Sequence, residues 1–297
     1  MTFKQACGGA VLSLGRIYCD LIFPGLPAMS RLGREVFADG MTLSLGGGAF
    51  ITAAHSAAHG RTTALVARFG TDALSAAMEP QLAMQGIDLR FLDRHPYAGP
   101  QVTVAMIKGE ERAFLSRRAG KAEPATLEAA LAWPEARHLH IAEYATLVEM
   151  PGIVERAKAR GLTVSLDPSW DDDLIRDPQF LDRCAGIDVF LPNLEEASIV
   201  AGTAEPRRAI KFLAEHFPVL ALKLGADGGM LSMGQEILAL PAPQVGVVDT
   251  TGAGDAFNAG FLDAWLDGRP AGECLSAAIE AGSRSVQAAG GAAVLAR

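Results

Sequence analysis

The sequence predicts an α/β domain on a mostly parallel sheet, with a small extra β-sheet appended, and three observations predict it. From about residue 126 onward, strand-like and helix-like runs alternate, which is the pattern of βαβ units. Two earlier stretches, residues 16–45 and 101–116, carry strand patterning with no clean helical period. Near the C-terminal end a strand, a tight turn and a helix are read across residues 244–266, with Gly252, Gly254 and Asp255 at the turn.

Taken in order, the apolar run at residues 6–14 reads as a first strand. A secretory leader is a poorer fit, because one lysine precedes the run and no convincing cleavage site follows it. Residues 101–107 and 112–116, joined by Lys108-Gly109-Glu110-Glu111, read as a β-hairpin that shares a small sheet with strands from 16–45. The alternating part then runs through strands at 138–141, 162–166, 189–191 and 219–222. Helices are expected at 153–160, from Leu194, and at 206–216. In parallel sheets ligands bind beyond the carboxyl ends of the strands, and Asp167, Asn193 and Lys223 stand there. The sequence therefore divides into a large α/β domain (1–15, 46–97 and 118–297) and a small sheet (16–45 and 98–117). Such a sheet suits a lid over a site, an oligomer contact, or both.

The chemistry is concentrated in Asp249-Thr250-Thr251-Gly252-Ala253-Gly254-Asp255-Ala256-Phe257. Glycines 252 and 254 free the turn of side-chain bulk, so that backbone N–H groups and the helix dipole converge on an oxyanion. Asp255 would be repelled by a phosphate held there, yet it is well placed to take a proton from a hydroxyl attacking that phosphate. Ordinary capping accounts for Gly-Ala-Gly-Asp alone. A dinucleotide fingerprint fits less well, because Phe257 occupies the place of its third glycine.

A chain of 297 residues, 49% hydrophobic, is long enough for one large domain with an appendage. A net charge of −8 and a pI near 5.3 speak against a nucleic-acid partner and favour a small-molecule substrate. Cys7, Cys19, Cys184 and Cys274 have no metal-ligand spacing and read as buried thiols of a reducing compartment. No apolar stretch approaches the ~20 residues a membrane span needs. A cytoplasmic protein is expected. His138 and His140, one apart on a strand, read as structural.

On these residues the chain resembles the ribokinase-like sugar kinases of the phosphofructokinase B type, over nearly its whole length. The segment from Asp249 to Phe257 is similar to that family's C-terminal signature. Weaker matches follow the family's order: Gly15 to Asp20, Gly46-Gly47-Gly48-Ala49, Val66 to Asp72, Asn193-Leu194-Glu195-Glu196 and Gly225-Ala226-Asp227-Gly228. The resemblance implies a three-layer α/β/α fold with a β-sheet lid, ATP as phosphoryl donor, Mg2+ as cofactor and, in some relatives, K+. It implies Asp255 as general base and the amides of Gly252, Ala253 and Gly254 as an anion hole. Asp20, Gly46, Gly47 and Gly48 would bind the acceptor sugar. Asn193, Lys223, Gly225, Gly228, Thr251 and Gly254 would bind the nucleotide. Asn193 and Glu196 would orient Mg2+ through water, and Asp249 and Thr251 match positions near a monovalent cation.

Three departures bear on the substrate. Ala49-Phe50-Ile51-Thr52 replaces the asparagines that touch sugar in many relatives, Asp167-Pro168-Ser169 replaces Asp-x-Asn, and Lys223 replaces a threonine. A sugar or sugar acid is the first expectation for the acceptor. A nucleoside, flanked by Tyr18 and Phe50, is the alternative, and a non-catalytic sugar-binding homologue is a further one. Unpaired strand edges of the small sheet suggest a homodimer.

Overall fold

The computed structural model describes residues 8–109, 111–288 and 290–292. Cys7, the start of the expected first strand and Glu110 of the hairpin turn lie outside the described residues. The chain opens with β1 (Ala10–Leu14), β2 (Tyr18–Phe23), β3 (Thr42–Gly46), α1 (Gly48–Ala58) and β4 (Thr63–Phe69). It continues through α2 (Ala73–Ala83), β5 (Leu92–Arg94), the hairpin β6 (Gln101–Lys108) and β7 (Glu111–Arg117), and α3 (Leu127–Leu131). Then come β8 (Ala136–Ile141), α4 (Tyr144–Glu149), α5 (Ile153–Ala159), β9 (Thr163–Leu166), α6 (Phe180–Arg183), β10 (Val189–Phe190), α7 (Leu194–Ala201) and α8 (Pro206–Leu213). The last elements are β11 (Val219–Lys223), β12 (Gly229–Met233), β13 (Glu236–Leu240), α9 (Ala253–Leu266) and α10 (Ala271–Ser285).

Nine strands form one sheet in the order β13-β12-β11-β10-β9-β8-β1-β4-β5, and four form another in the order β3-β2-β6-β7. The large sheet is parallel from β5 to β11, with an antiparallel pair β12 and β13 at one edge. Its central strands are buried on both faces and are largely apolar, with Ser13, His138, His140 and Ser165 as buried polar exceptions. Ala10, Leu12 and Leu14 of β1 join a core with α3, α5 and α8, while Val11 between them faces the α9 and α10 side. Helices α1 and α2 close the same side over Leu65 and Ala67 of β4.

The chain leaves β1 toward β4 and β5, then returns to β8 on the other side of β1. That reversal opens a crevice beyond the carboxyl ends of β1 and β8, where open α/β sheets place their ligands. The small sheet stands beside it: β2 begins four residues after β1 ends, and β3 leads through Gly47 directly into α1.

One expected element is absent. Residues 244–248 form no strand; Val247 and Val248 are 63% and 62% exposed, and the amides of Val248 and Asp249 both bond the Val286 carbonyl. The β-branched side chains of Val245 and Val247 line a cavity rather than pack on a neighbouring strand. Phe50 is also corrected: it is buried in the α1 core and lines no acceptor cavity.

Candidate active site

Beyond the strand ends lies a cavity of about 360 Å³ whose walls include Asp20, Gly47, Gly48, Glu143, Asp167, Asn193, Glu196, Lys223, Gly252, Gly254 and Asp255. Most of the residues singled out in the sequence meet here. A second cavity of about 330 Å³ is lined by Gly225, Ala226, Gly228, Ala242, Val245, Val247, Phe257, Ile279 and Val286. Lys223 and Gly254 line both. A ligand filling the two would pass over the first turn of α9.

Local sequence explains why that turn is open. Gly252 is the N-cap of α9 in the left-handed region (φ 73°), and a Cβ there would stand 2.7 Å from Gly291 and 3.1 Å from the Ile51 side chain. Gly46, Gly47 and Gly48 lie between two carboxylates: a Cβ on Gly46 would meet Asp20 Oδ2 at 2.3 Å, and one on Gly48 would meet Asp255 Oδ1 at 2.9 Å. This turn therefore brings backbone against both acids, which no side chain at those positions would permit.

Two strand ends, those of β9 and β11, and α9 are joined by one buried cluster. The Lys223 ammonium donates to Asp167 Oδ2 at 2.6 Å and to Asn258 Oδ1 at 3.3 Å, while Asn258 Nδ2 donates to the same Asp167 oxygen at 2.6 Å. Burial opposes the charge on Asp167, but Lys223, Asn258 and the Ser169 amide outweigh it and hold the carboxyl below the usual range. Burial likewise opposes the charge on Lys223, and Asp167 and Glu196 keep the ammonium protonated. Asp255 has no such hydrogen-bonding side chain among the described residues: burial, reinforced by Asp167 and only partly offset by Lys223, pushes it up to about 7. That places a base near neutrality at the mouth of an anion-binding turn.

Asn193 and Glu196 form a complete capping box, with Asn193 Oδ1 accepting the Glu196 amide at 2.9 Å and Glu196 Oε2 accepting the Asn193 amide at 2.8 Å. The structural role is thus real, and both residues also line the cavity. Burial and the neighbouring Asp167 raise Glu196 to about 7. Two buried carboxylates that repel each other beside a polar cavity suit a hard divalent cation with oxygen ligands. Asp20 on β2 is raised to about 6 by burial. Asp249 accepts the Thr251 amide and hydroxyl at 3.0 and 2.8 Å and the Gly290 amide at 3.0 Å, shaping the turn before α9.

Several site residues escaped the sequence reading. Glu143 and Arg16 follow β8 and β1, and the strand-end rule that picked out Asp167 applies to them equally. Asn258 lies one helical turn from Asp255, on the same face of α9. Trp170 sits in an irregular loop with no periodic signal. Gly225 and Gly228 turn β11 into β12 and also line the second cavity.

Residues 17–296 match the family described as pfkB family carbohydrate kinase. The chain belongs to that family. It is 26% identical over 276 residues to a cytidine kinase of Thermococcus kodakarensis, covering 88% of this chain and 94% of that protein. It is 27% identical over 240 residues to a fructokinase of Escherichia coli, covering 76% and 78%. The Arabidopsis thaliana ribokinase structure, complexed with ribose and ATP, superposes with a TM-score of 0.80 at 22% identity, covering 96% of this chain and 94% of that one. That likeness establishes the ribokinase-like fold, with its large mostly parallel sheet, helices on both faces and a separate small sheet.

Proposed function

We propose that this family member is an ATP- and Mg2+-dependent phosphotransferase that moves the γ-phosphoryl group of ATP to a hydroxyl of a small sugar or nucleoside. The observation that carries this reading is the meeting of two cavities at Lys223 and Gly254, beside the buried, elevated Asp255. The apolar cavity takes the flat base of the donor, whose phosphates run toward the Gly252, Ala253 and Gly254 amides. The polar cavity takes the acceptor, with Asp20 and the Gly47 backbone against its hydroxyls.

In the reaction, Asp255 accepts the proton of the attacking hydroxyl as the oxygen bonds to phosphorus and ADP departs. The α9 amides stabilise charge on the transferring group, and Lys223, already cationic at this junction, adds to that field. Asn193, Glu196 and Asp167 would hold Mg2+, which supplies charge neutralisation on the donor phosphates when bound. Asp249 and Thr251 would stand near any K+ the reaction requires. The small sheet, which contributes Tyr18 and Asp20 to the acceptor wall, acts as a lid.

Coupled ADP release with Mg-ATP across pentoses, hexoses, sugar acids, sugar phosphates and nucleosides tests the proposal, with Asp255→Asn in parallel. Turnover on one acceptor that collapses in the variant is expected. Heat stabilisation by a sugar without turnover on any acceptor would instead identify a binding protein.

A further inference from the structure

Next to the acceptor cavity lies a third space of about 400 Å³, between the small sheet and the loop that follows β9. The two share Tyr18, Glu143, Ser169 and Trp170 as wall, so they are continuous. Each alone falls within the size range of a small-ligand pocket. A lone monosaccharide beside Asp255 and Asp20 therefore leaves the outer space to water.

The cations of the combined space, Arg118 in the outer part and Arg16 in the acceptor cavity, are already committed. Arg118, just after β7, is paired with Asp171 of the loop. Arg16 donates to Glu143 at 3.4 Å, to Glu149 at 2.5 Å and to the Ala119 and Gly120 carbonyls. Asp20, Glu143, Asp171 and Asp172 also line the combined space, so carboxylates outnumber guanidinium groups there. Lys223 stands at the donor end, bound to Asp167. A phosphate or carboxylate on the acceptor would meet net negative charge, with both guanidinium groups already held by acids.

Neutral hydrogen-bonding groups are present instead. Gln101 is 8% exposed and its Oε1 has no partner among the described residues. Thr103 and Ser116 hydroxyls lie 3.0 Å apart on the facing strands β6 and β7. Trp170, 45% exposed, offers an uncovered ring in the opposite wall. We infer that the acceptor has two parts and no negative charge: a reacting sugar at Asp255, and a planar hydrogen-bonding group in the outer cavity against Trp170. This rests on the kinase reading and narrows it. A nucleobase and an amide substituent on a sugar share that chemistry.

The test compares kcat/KM for free ribose, nucleosides of the four bases, N-acyl amino sugars, and the phosphorylated or carboxylated forms of the same sugars. Nucleosides or N-acyl sugars are expected to exceed their parent sugars at least about tenfold, and the two arms separate the sources. Trp170→Ala should raise KM for the two-part acceptor about tenfold, a clearly larger factor than its effect on the KM for the parent sugar. Asp171→Asn releases Arg118, and should raise kcat/KM for a sugar phosphate relative to its parent sugar. A free monosaccharide or an anionic sugar as the best acceptor overturns the inference and leaves the kinase standing. ADP release no higher than that of Asp255→Asn with any acceptor overturns both.

Discussion

The donor and acceptor cavities are of similar volume, yet they are built from opposite materials. The donor side is walled by Ala226, Ala242, Val245, Val247, Phe257, Ile279 and Val286, and the acceptor side by Asp20, Glu143, Arg16, Tyr18 and Trp170. Shape and burial can hold a flat base, whereas orienting a hydroxyl for attack needs fixed donors and acceptors. On the proposed reading the difference teaches where specificity would reside: the apolar side would accept one common donor, and the charged side would select the acceptor.

The sharpest way to break this comparison is at the shared boundary. Asp255→Asn should lower kcat by ~10²–10⁴ with little change in either KM, since it removes only proton transfer. Lys223→Met should come next: it strands Asp167 as a buried unpaired charge, at a cost of about 3–5 kcal/mol in stability, read as a lower Tm together with reduced turnover. If Lys223→Met instead lowers kcat with Tm unchanged, the ion pair is not structural. A substitution confined to one side should act on one substrate, so Val247→Asp is expected to raise KM for ATP several-fold while sparing the acceptor KM.

The two sides also differ in how they respond to protons. Asp255 must be ionised to act as base, so kcat/KM should rise with pH up to about 7 and level off above it. Because burial raises Asp255 above its unfolded value, its contribution to stability is fully present below the unfolded pKa and is lost as pH rises through about 7. Asp255→Asn should accordingly melt a few degrees higher than the parent at pH 8, and the gain should vanish near pH 4. The smallest effect on catalysis is expected at the edge of the small sheet, where Phe114 and Leu115 of β7 are exposed. We expect light scattering to show a homodimer, and Leu115→Glu to weaken it with turnover nearly unchanged.

What the sequence revealed followed the same division. The parallel sheet was legible because strand-like and helix-like runs alternate and strands buried on both faces are rich in apolar residues, unbroken in β10 and in residues 219–222 of β11, and interrupted in β8 and β9 by His138, His140 and Ser165, the serine bonding both histidines. Asp255 stood out because an acid beside an anion-binding turn would repel the anion, a placement that suits proton transfer, although ordinary capping accounts for the motif alone. Residues 244–248 misled for an instructive reason: Val245, Val247 and Val248 look like a strand, but Val245 and Val247 are apolar toward a ligand cavity. Hydrophobicity that serves a ligand has no signature separating it from hydrophobicity that serves a sheet. On the acceptor side, Arg16, Glu143 and Trp170 come together only through the return of the chain across β1, and no local pattern joins them.

The packing of α9 on α10 sets how the two cavities can move. A Cβ at Gly260 would stand 2.6 Å from the Ala277 carbonyl, and one at Gly282 would stand 3.2 Å from the Ala253 carbonyl, so the helices touch backbone to backbone at two levels. Ile279, Gly282, Ser283 and Val286 at the end of α10 are wall of the donor cavity, and Asp255 opens α9. Asp255 and the wall proposed for the donor thus belong to one stiff body, an anvil against which ATP would be seated. On that reading closure would fall to the other jaw, the small sheet, beside which Arg118, just after β7, pairs with Asp171. The moment at which phosphate can move would then be decided by what fills the acceptor side, which would keep ATP from being spent on water while that side stands open.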